Sequence, residues 1–243
     1  MKYLIANWKM RPTSLAKAEA FFNELEQGLQ GIDLADKKVI VCPPFPYLRN
    51  YELGIRNYEL GAQNCGYEKE GAFTGEISPL MLKDGGVEYV IIGHSERRRF
   101  FKEDNEMIAK KVKLALEVGL TPIVCVGSPA RETDEAERDE IKEQLDTVLN
   151  NLQPTTNDFL IAYEPVWAIG SGNSATPAQV KEMIAFIISI TKRYTLNAIP
   201  CLYGGSVDAR NVYDFTSLKN IDGCLVGTAS IPMSDFIQLV KNS

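Results

Sequence analysis

Three ionisable side chains of different chemistry stand in short, distinctive segments of this 243-residue chain. Lys9 ends Asn7-Trp8-Lys9, His94 lies in Gly93-His94-Ser95-Glu96-Arg97-Arg98, and Glu164 opens a segment running through Pro165 and Trp167 to Gly172. A carboxylate, an imidazole and an ammonium together suit acid–base chemistry on a small substrate. The carboxylate is a general-base candidate, the imidazole can give or take a proton, and the ammonium can meet negative charge. Two Gly/Ser-rich segments follow, Tyr203-Gly204-Gly205-Ser206-Val207 and Gly227-Thr228-Ala229-Ser230. Their small residues allow backbone N–H groups to approach a phosphate. Each feature alone has a plainer reading. A single histidine is commonly a hydrogen-bonded core or surface residue, a glutamate at a strand end an ion-pair partner, and Gly-Gly-Ser a turn. The chemistry therefore depends on whether the fold brings these segments to one place.

Short, nearly continuous apolar runs alternate with helical patterns along the chain. The runs are Tyr3–Ala6, Lys38–Cys42, Tyr58–Ala62, Tyr89–Ile92, Pro122–Val126, Phe159–Tyr163, Pro200–Tyr203 and Cys224–Val226. Apolar character without polar alternation predicts strands buried on both faces, as in a parallel sheet. Between them, Leu15, Ala18, Phe22, Leu25 and Leu29 step by three and four and share one helix face. Ile141, Leu145, Val148 and Leu152 repeat the pattern, as do Val180, Ile184, Ile187 and Thr191, the last a weak member. Ser78-Pro79 and Thr176-Pro177 read as an N-cap followed by proline at the first helical position. Gly54 and Gly119 sit where helices should stop. The segments around Asn211–Phe215 and Phe236–Val240 are the weakest helix signals, and the mixed-charge run Glu132–Glu143 reads as a solvated helix face. Eight strand–helix units of about 30 residues each predict a single closed (β/α)8 barrel over residues 1–243, of the α/β class, with no linker.

Composition narrows the function classes. There are 26 basic and 32 acidic side chains, a formal net charge of −6, which argues against a general nucleic-acid or membrane-surface binder. It leaves room for a small anionic substrate held by a local nest of N–H groups and one lysine. The five cysteines form no CxxC pair, and one histidine is too few for an ordinary zinc site, so no metal is expected. The opening MKYLIANWKM contains no signal-peptide core, and no stretch approaches a membrane span. A reducing, cytoplasmic setting is the default expectation.

A (β/α)8 barrel carries its functional residues just past the C-terminal ends of its strands. Applied here, that rule selects Asn7 and Lys9 after the first strand, His94 after the fourth and Glu164 after the sixth. It also selects the glycine-rich segments after the seventh and eighth, where this architecture usually binds phosphate.

Several segments then carry a specific resemblance. Asn-Trp-Lys-Met at 7–10, Gly-His-Ser-Glu-Arg-Arg at 93–98, Tyr-Glu-Pro-Val-Trp-Ala-Ile-Gly at 163–170 and Tyr-Gly-Gly-Ser-Val at 203–207 are similar, in order and spacing, to the motifs of the triosephosphate isomerase family. Gly-Ala-Gln-Asn at 61–64 and Gly-Ala-Phe-Thr-Gly-Glu at 71–76 also match, so the resemblance spans nearly the whole chain. It implies interconversion of dihydroxyacetone phosphate and D-glyceraldehyde 3-phosphate through an enediol(ate), in glycolysis and gluconeogenesis, without a cofactor. It implies a glutamate base paired with a neutral histidine under a closing loop. Carried over, it makes Glu164 the base, His94 the electrophile, Lys9 the stabiliser of enediolate charge and Asn7 an orienting group. It places the substrate phosphate at Gly170, Ser206, Gly227 and Thr228. It makes Pro165, Val166 and Trp167 the stiff hinge of a lid whose tip is Ala168, Ile169, Gly170, Ser171 and Gly172. Ser95, Glu96 and Arg98 become supporting contacts, with Glu96 a partner for Lys9. It implies a homodimer in which the loop carrying Phe73 and Thr74 enters the neighbouring subunit.

Three departures stand out. Asn173-Ser174-Ala175 replaces the common Lys-Thr-Ala, which bears on lid closure. Thr228 replaces the second glycine of the common Gly-Gly-Ala-Ser; its N–H still serves a phosphate unless the position demands positive φ. Ser128-Pro129-Ala130 follows Cys125-Val126-Gly127, where the family frequently has Glu. The competing readings are an isomerase of another sugar phosphate, an aldolase, for which Lys9 is the only evident Schiff-base candidate, and a non-catalytic barrel serving as a binding or scaffold protein.

Overall fold

The structure is a computed structural model describing residues 1–48, 57–128, 133–152, 158–168, 175–194 and 198–243. Its strands are β1 (Lys2–Asn7), β2 (Lys37–Cys42), β3 (Glu59–Ala62), β4 (Tyr89–Ile92), β5 (Thr121–Val126), β6 (Leu160–Tyr163), β7 (Cys201–Tyr203) and β8 (Gly223–Val226). All eight pair in parallel and in sequence order, and β1 closes on β8. The helices are α1 (Leu15–Leu29), α2 (Pro79–Asp84), α3 (Ser95–Phe101), α4 (Asn105–Glu117), α5 (Asp134–Asn150), α6 (Pro177–Thr191), α7 (Val212–Thr216) and α8 (Met233–Asn242). The stop expected at Gly54 lies outside the described residues.

The continuous apolar runs arise because each strand is buried twice. Ile5, Ile40, Ile91, Ile123, Leu202 and Leu225 point into the barrel. Their neighbours Leu4, Val39, Val90, Val124 and Val226 face the helices. Closure demands a glycine at the seam. Gly223 has φ +146° and pairs with Tyr3, and a Cβ there would lie 1.9 Å from the Tyr3 carbonyl oxygen.

Helix starts follow the local code. Ser78 and Thr176 cap α2 and α6 ahead of prolines, and Thr176 forms a reciprocal capping box with Gln179. Gly119, at φ +79°, follows the end of α4. On α1 the predicted face is buried at Ala18, Phe22, Leu25 and Leu29, while Leu15 at the first turn is exposed. Thr191 is buried with its hydroxyl donating to the Ile188 carbonyl at 3.1 Å, which is how a polar residue fits an apolar face. The two weakest helix signals are α7, of 5 residues, and α8, of 10.

One expectation needs correction. The run Glu132–Glu143 is not a solvated face throughout. Glu137 is 2% exposed and Ile141 is fully buried, because α5 turns this side against β6 and the segment after it. Glu132 lies outside the described residues. No described helix is long and apolar enough to cross a membrane.

Candidate active site

At the C-terminal end of β1, Lys9 adopts φ +53°, a left-handed conformation uncommon for a residue with a side chain. Its surroundings hold it there. The Lys9 N–H donates to Asn7 Oδ1 at 3.0 Å, and the Gln63 amide donates to the carbonyls of Lys9 and Cys42, each at 2.8 Å. The lysine side chain is thereby turned across the barrel mouth, where Nζ meets Glu96 Oε1 at 2.6 Å. Trp8 anchors the same turn from outside, buried against Phe21 and Phe22 of α1.

His94 follows β4 and caps α3. Its Nδ1 accepts the Glu96 N–H at 3.2 Å, so the lone pair is on Nδ1 and the ring proton of the neutral tautomer is on Nε2. Nε2 lies 3.1 Å from Glu164 Oε1. The other carboxylate oxygen of Glu164 accepts the Ser95 N–H at 2.8 Å, at the start of α3, where the helix dipole favours negative charge. Glu164 is 2% exposed, in the dry setting a base for a carbon acid needs. Its backbone is fixed by its own N–H, which donates to Val126, and by the Gly204 N–H, which donates to Tyr163, both at 2.8 Å. Strand β5 approaches so closely that a Cβ at Gly127 would sit 1.9 Å from the Glu164 carbonyl oxygen.

Beneath this cluster, Arg98 donates to the carbonyls of Gly93 and Cys125 and to the Asn105 amide oxygen. Burial lowers its pKa, with the nearby Cys125, Glu164 and Glu140 acting the other way. All five thiols are free and buried. Burial pushes Cys65, Cys201 and Cys224 each up to about 12, and Cys125 well above its ordinary value, the last also raised by the Glu164 charge. Protonated and buried, these thiols pack as small apolar groups.

Asn7, Lys9, His94, Glu164, Ser206, Gly227 and Thr228 line one cleft of about 530 Å³. Thr228 opens a short 3-10 turn, Thr228–Ser230, and it is not among the described residues with positive φ, so its side chain strains nothing. The buried Ser230 hydroxyl ties this turn to β1, donating to the carbonyls of Gly227 at 2.6 Å and Asn7 at 3.1 Å. After Glu164 comes buried Pro165 and a 3-10 turn, Val166–Ala168, so Ala168, expected as the first residue of the tip, is instead buried at the end of this turn; the rest of the expected tip, Ile169, Gly170, Ser171 and Gly172, lies outside the described residues, as do Asn173 and Ser174. Phe73 and Thr74 do not line the cleft. Phe73 packs on Tyr67 within its own loop, ring centroids 5.5 Å apart, yet stays 39% exposed.

Three supporting residues went unassigned in the sequence. Gln63 sits just past β3, a strand end the positional rule covers, in the quoted Gly-Ala-Gln-Asn segment. Ser230 lies in a quoted loop, but its role depends on β1 being alongside. Gln144, deep on α5, bonds both backbone groups of Gly127, at 2.9 and 3.0 Å, and nothing in its sequence surroundings marks it.

A carboxylate–imidazole pair, an ammonium and two backbone turns thus share one barrel mouth, and comparison with known proteins points the same way. The family model described as triosephosphate isomerase matches residues 2–243. The triosephosphate isomerase of Dictyoglomus turgidum is 44% identical over 249 residues, covering 99% of each chain. That of Vesicomyosocius okutanii is 42% identical over 247 residues, covering 99% of this chain and 98% of the relative. That of Aquifex aeolicus is 40% identical over 245 residues, covering 98% of each. With motifs, barrel and near-complete matches in agreement, the chain belongs to the triosephosphate isomerase family.

Proposed function

We infer that this chain catalyses the reaction for which its family is named, interconverting dihydroxyacetone phosphate and D-glyceraldehyde 3-phosphate in glycolysis and gluconeogenesis. The observation that carries the reading is the Glu164–His94 contact at 3.1 Å, in one cleft with Lys9 and the turns after β7 and β8. The substrate carbonyl oxygen takes the Nε2–H of His94, which frees Glu164 to face the adjacent carbon. Glu164 removes a proton from that carbon and returns it to the neighbouring one, while His94 moves protons between the two oxygens. Lys9 stabilises the enediolate charge. Asn7 sets the Lys9 turn through its Oδ1. The phosphate rests on N–H groups of Ser206, Gly227 and Thr228, with Gly170 joining from the lid. Moving a proton this way calls for no metal or redox cofactor.

The working form is a homodimer of a single-domain chain in a cytoplasmic setting. Met10, next to Lys9, is 88% exposed, and Phe73 and Phe101 are also exposed. A second copy would remove such apolar surface from water. A coupled assay with glyceraldehyde 3-phosphate tests the activity, and no turnover above background would overturn it. Light scattering showing a fully active monomer at micromolar concentration would overturn the dimer.

A further inference from the structure

Glu137 is a carboxylate almost wholly removed from water, on the face of α5 turned toward β6. One of its oxygens, Oε1, accepts both the Tyr163 hydroxyl at 2.7 Å and the Trp167 indole N–H at 3.1 Å. Tyr163 immediately precedes Glu164 at the end of β6, and Trp167 lies in the 3-10 turn three residues beyond it. A single oxygen therefore grips the chain on both sides of Glu164. Ser128, two residues past the end of β5, is buried and has no carboxylate to offer. We propose that Glu137 is a positioning residue for the isomerisation, holding the first turn of the lid and the strand end that bears Glu164 in one fixed arrangement.

The physical case has three parts. A buried carboxylate is costly unless it is hydrogen-bonded, and hydrogen bonds to a charged acceptor are about twice as strong as neutral ones, so this oxygen holds both donors firmly. The anchor is itself rigid. Gln144, two turns along the same helix, bonds both backbone groups of Gly127, and the Glu164 N–H bonds the residue before it. Placement errors on the scale of 1 Å at a reacting group cost on the order of 10²-fold in rate, so slack at Tyr163 and Trp167 reaches the chemistry. The exposed pair Arg138–Glu182 also links α5 to α6, but a solvent-exposed ion pair of this kind adds little.

The kinetic part of the test rests on the isomerase reading; the contact itself does not. Glu137→Ala should lower kcat by about tenfold with KM changed by less than about twofold, the signature of lost transition-state placement. Glu137→Gln keeps an oxygen with two lone pairs and should restore kcat to within about threefold of the parent. Trp167→Phe should cost less in the Glu137→Ala background than in the parent, with a coupling of about fivefold or more. Glu135→Gln, an exposed charge change on the same helix, should alter nothing. Independently of turnover, the indole N–H of Trp167, one of only 2 tryptophans, should exchange with solvent at least about tenfold faster in Glu137→Ala than in the parent or Glu137→Gln. If Glu137→Ala does not fold, Glu137→Leu, which fills the space but offers no acceptor, takes its place in the cycle and in the exchange measurement. Unchanged kcat in Glu137→Ala, multiplicative losses in the cycle, a Gln variant as poor as Ala, or unchanged indole exchange would each overturn the proposal. An inactive parent with a protected indole would instead sink the isomerase reading and leave the contact standing.

Discussion

The two sides of the barrel mouth are built on different principles. On the side of β1, β4 and β6, side chains do the work and are committed beforehand: His94 and Glu164 are buried and in contact, and Lys9 is held by Glu96, Asn7 and Gln63. On the side of β7 and β8 the proposed phosphate surface is backbone, and Ser206 and Thr228 are exposed. On the proposed roles, the difference follows from what each side recognises. A proton transfer to carbon tolerates little misplacement, so its groups are oriented before substrate arrives. A phosphate dianion brings a large charge of its own, and a few N–H groups on a short turn suffice to seat it.

That division can be broken by separating placement from seating. The largest effect is expected from Glu164→Asp, which withdraws the carboxylate by about 1 Å and should lower kcat on the order of 10²-fold. Its inhibition constant for inorganic phosphate should stay as in the parent. Near-normal turnover would remove Glu164 from the base role, and a parallel loss of phosphate affinity would erase the division. Next comes Thr228→Pro. Proline deletes the N–H, and because Gly227 stands at ψ −95°, a poor conformation before proline, it also shifts the turn. Inorganic phosphate should bind about tenfold more weakly, as for one lost hydrogen bond to a charged group. Unchanged phosphate inhibition would show that this N–H does not face the anion.

Smaller changes sharpen the comparison at the seam. Ser230→Ala removes the hydroxyl that links the β8 turn to the end of β1, and should lower stability by about 1 kcal/mol in urea unfolding. A loss near zero would mean the two sides are tied elsewhere. The smallest expected change is spectroscopic. His94 is the only histidine, so its ring nitrogens can be followed without assignment ambiguity. They should report the Nε2–H tautomer, and saturating phosphate should leave that pattern in place, because the ring is set by the Glu96 N–H and not by the anion. A tautomer exchange on adding phosphate would join the two sides into one responsive unit.

The same division decided what could be read from the sequence. Strands were legible because burial on both faces leaves unbroken apolar runs, and α2 and α6 because serine or threonine before proline there precedes a helical pattern, whereas Thr121-Pro122 precedes the apolar run of β5. Asn7, Lys9, His94 and Glu164 were legible because the barrel rule inspects strand ends and their side chains have distinctive chemistry. The backbone side gave only glycines and serines, which rise above turns only through the family motifs. Support from the helices was illegible. Glu137 sits among charges that mostly face water, and only the rotation of α5 against β6 separates it from exposed Glu135. Gln144 likewise looks like any polar helix residue until Gly127 is placed beside it.

The closure of β1 on β8 at Gly223 sets a timetable for the newborn chain. Tyr3 leaves the ribosome 220 residues ahead of its partner, Gly223. At common elongation rates the interval is on the order of ten seconds or more. During it β1 can pair with β2 on one side only, and its other edge shows unpaired backbone to anything nearby. The barrel is therefore a ring that stays open until its final strand is made. A chain cut just before Gly223 should keep that edge open and self-associate, which light scattering against the full-length chain would reveal; a truncated chain that stays monodisperse would show that the edge is covered in some other way.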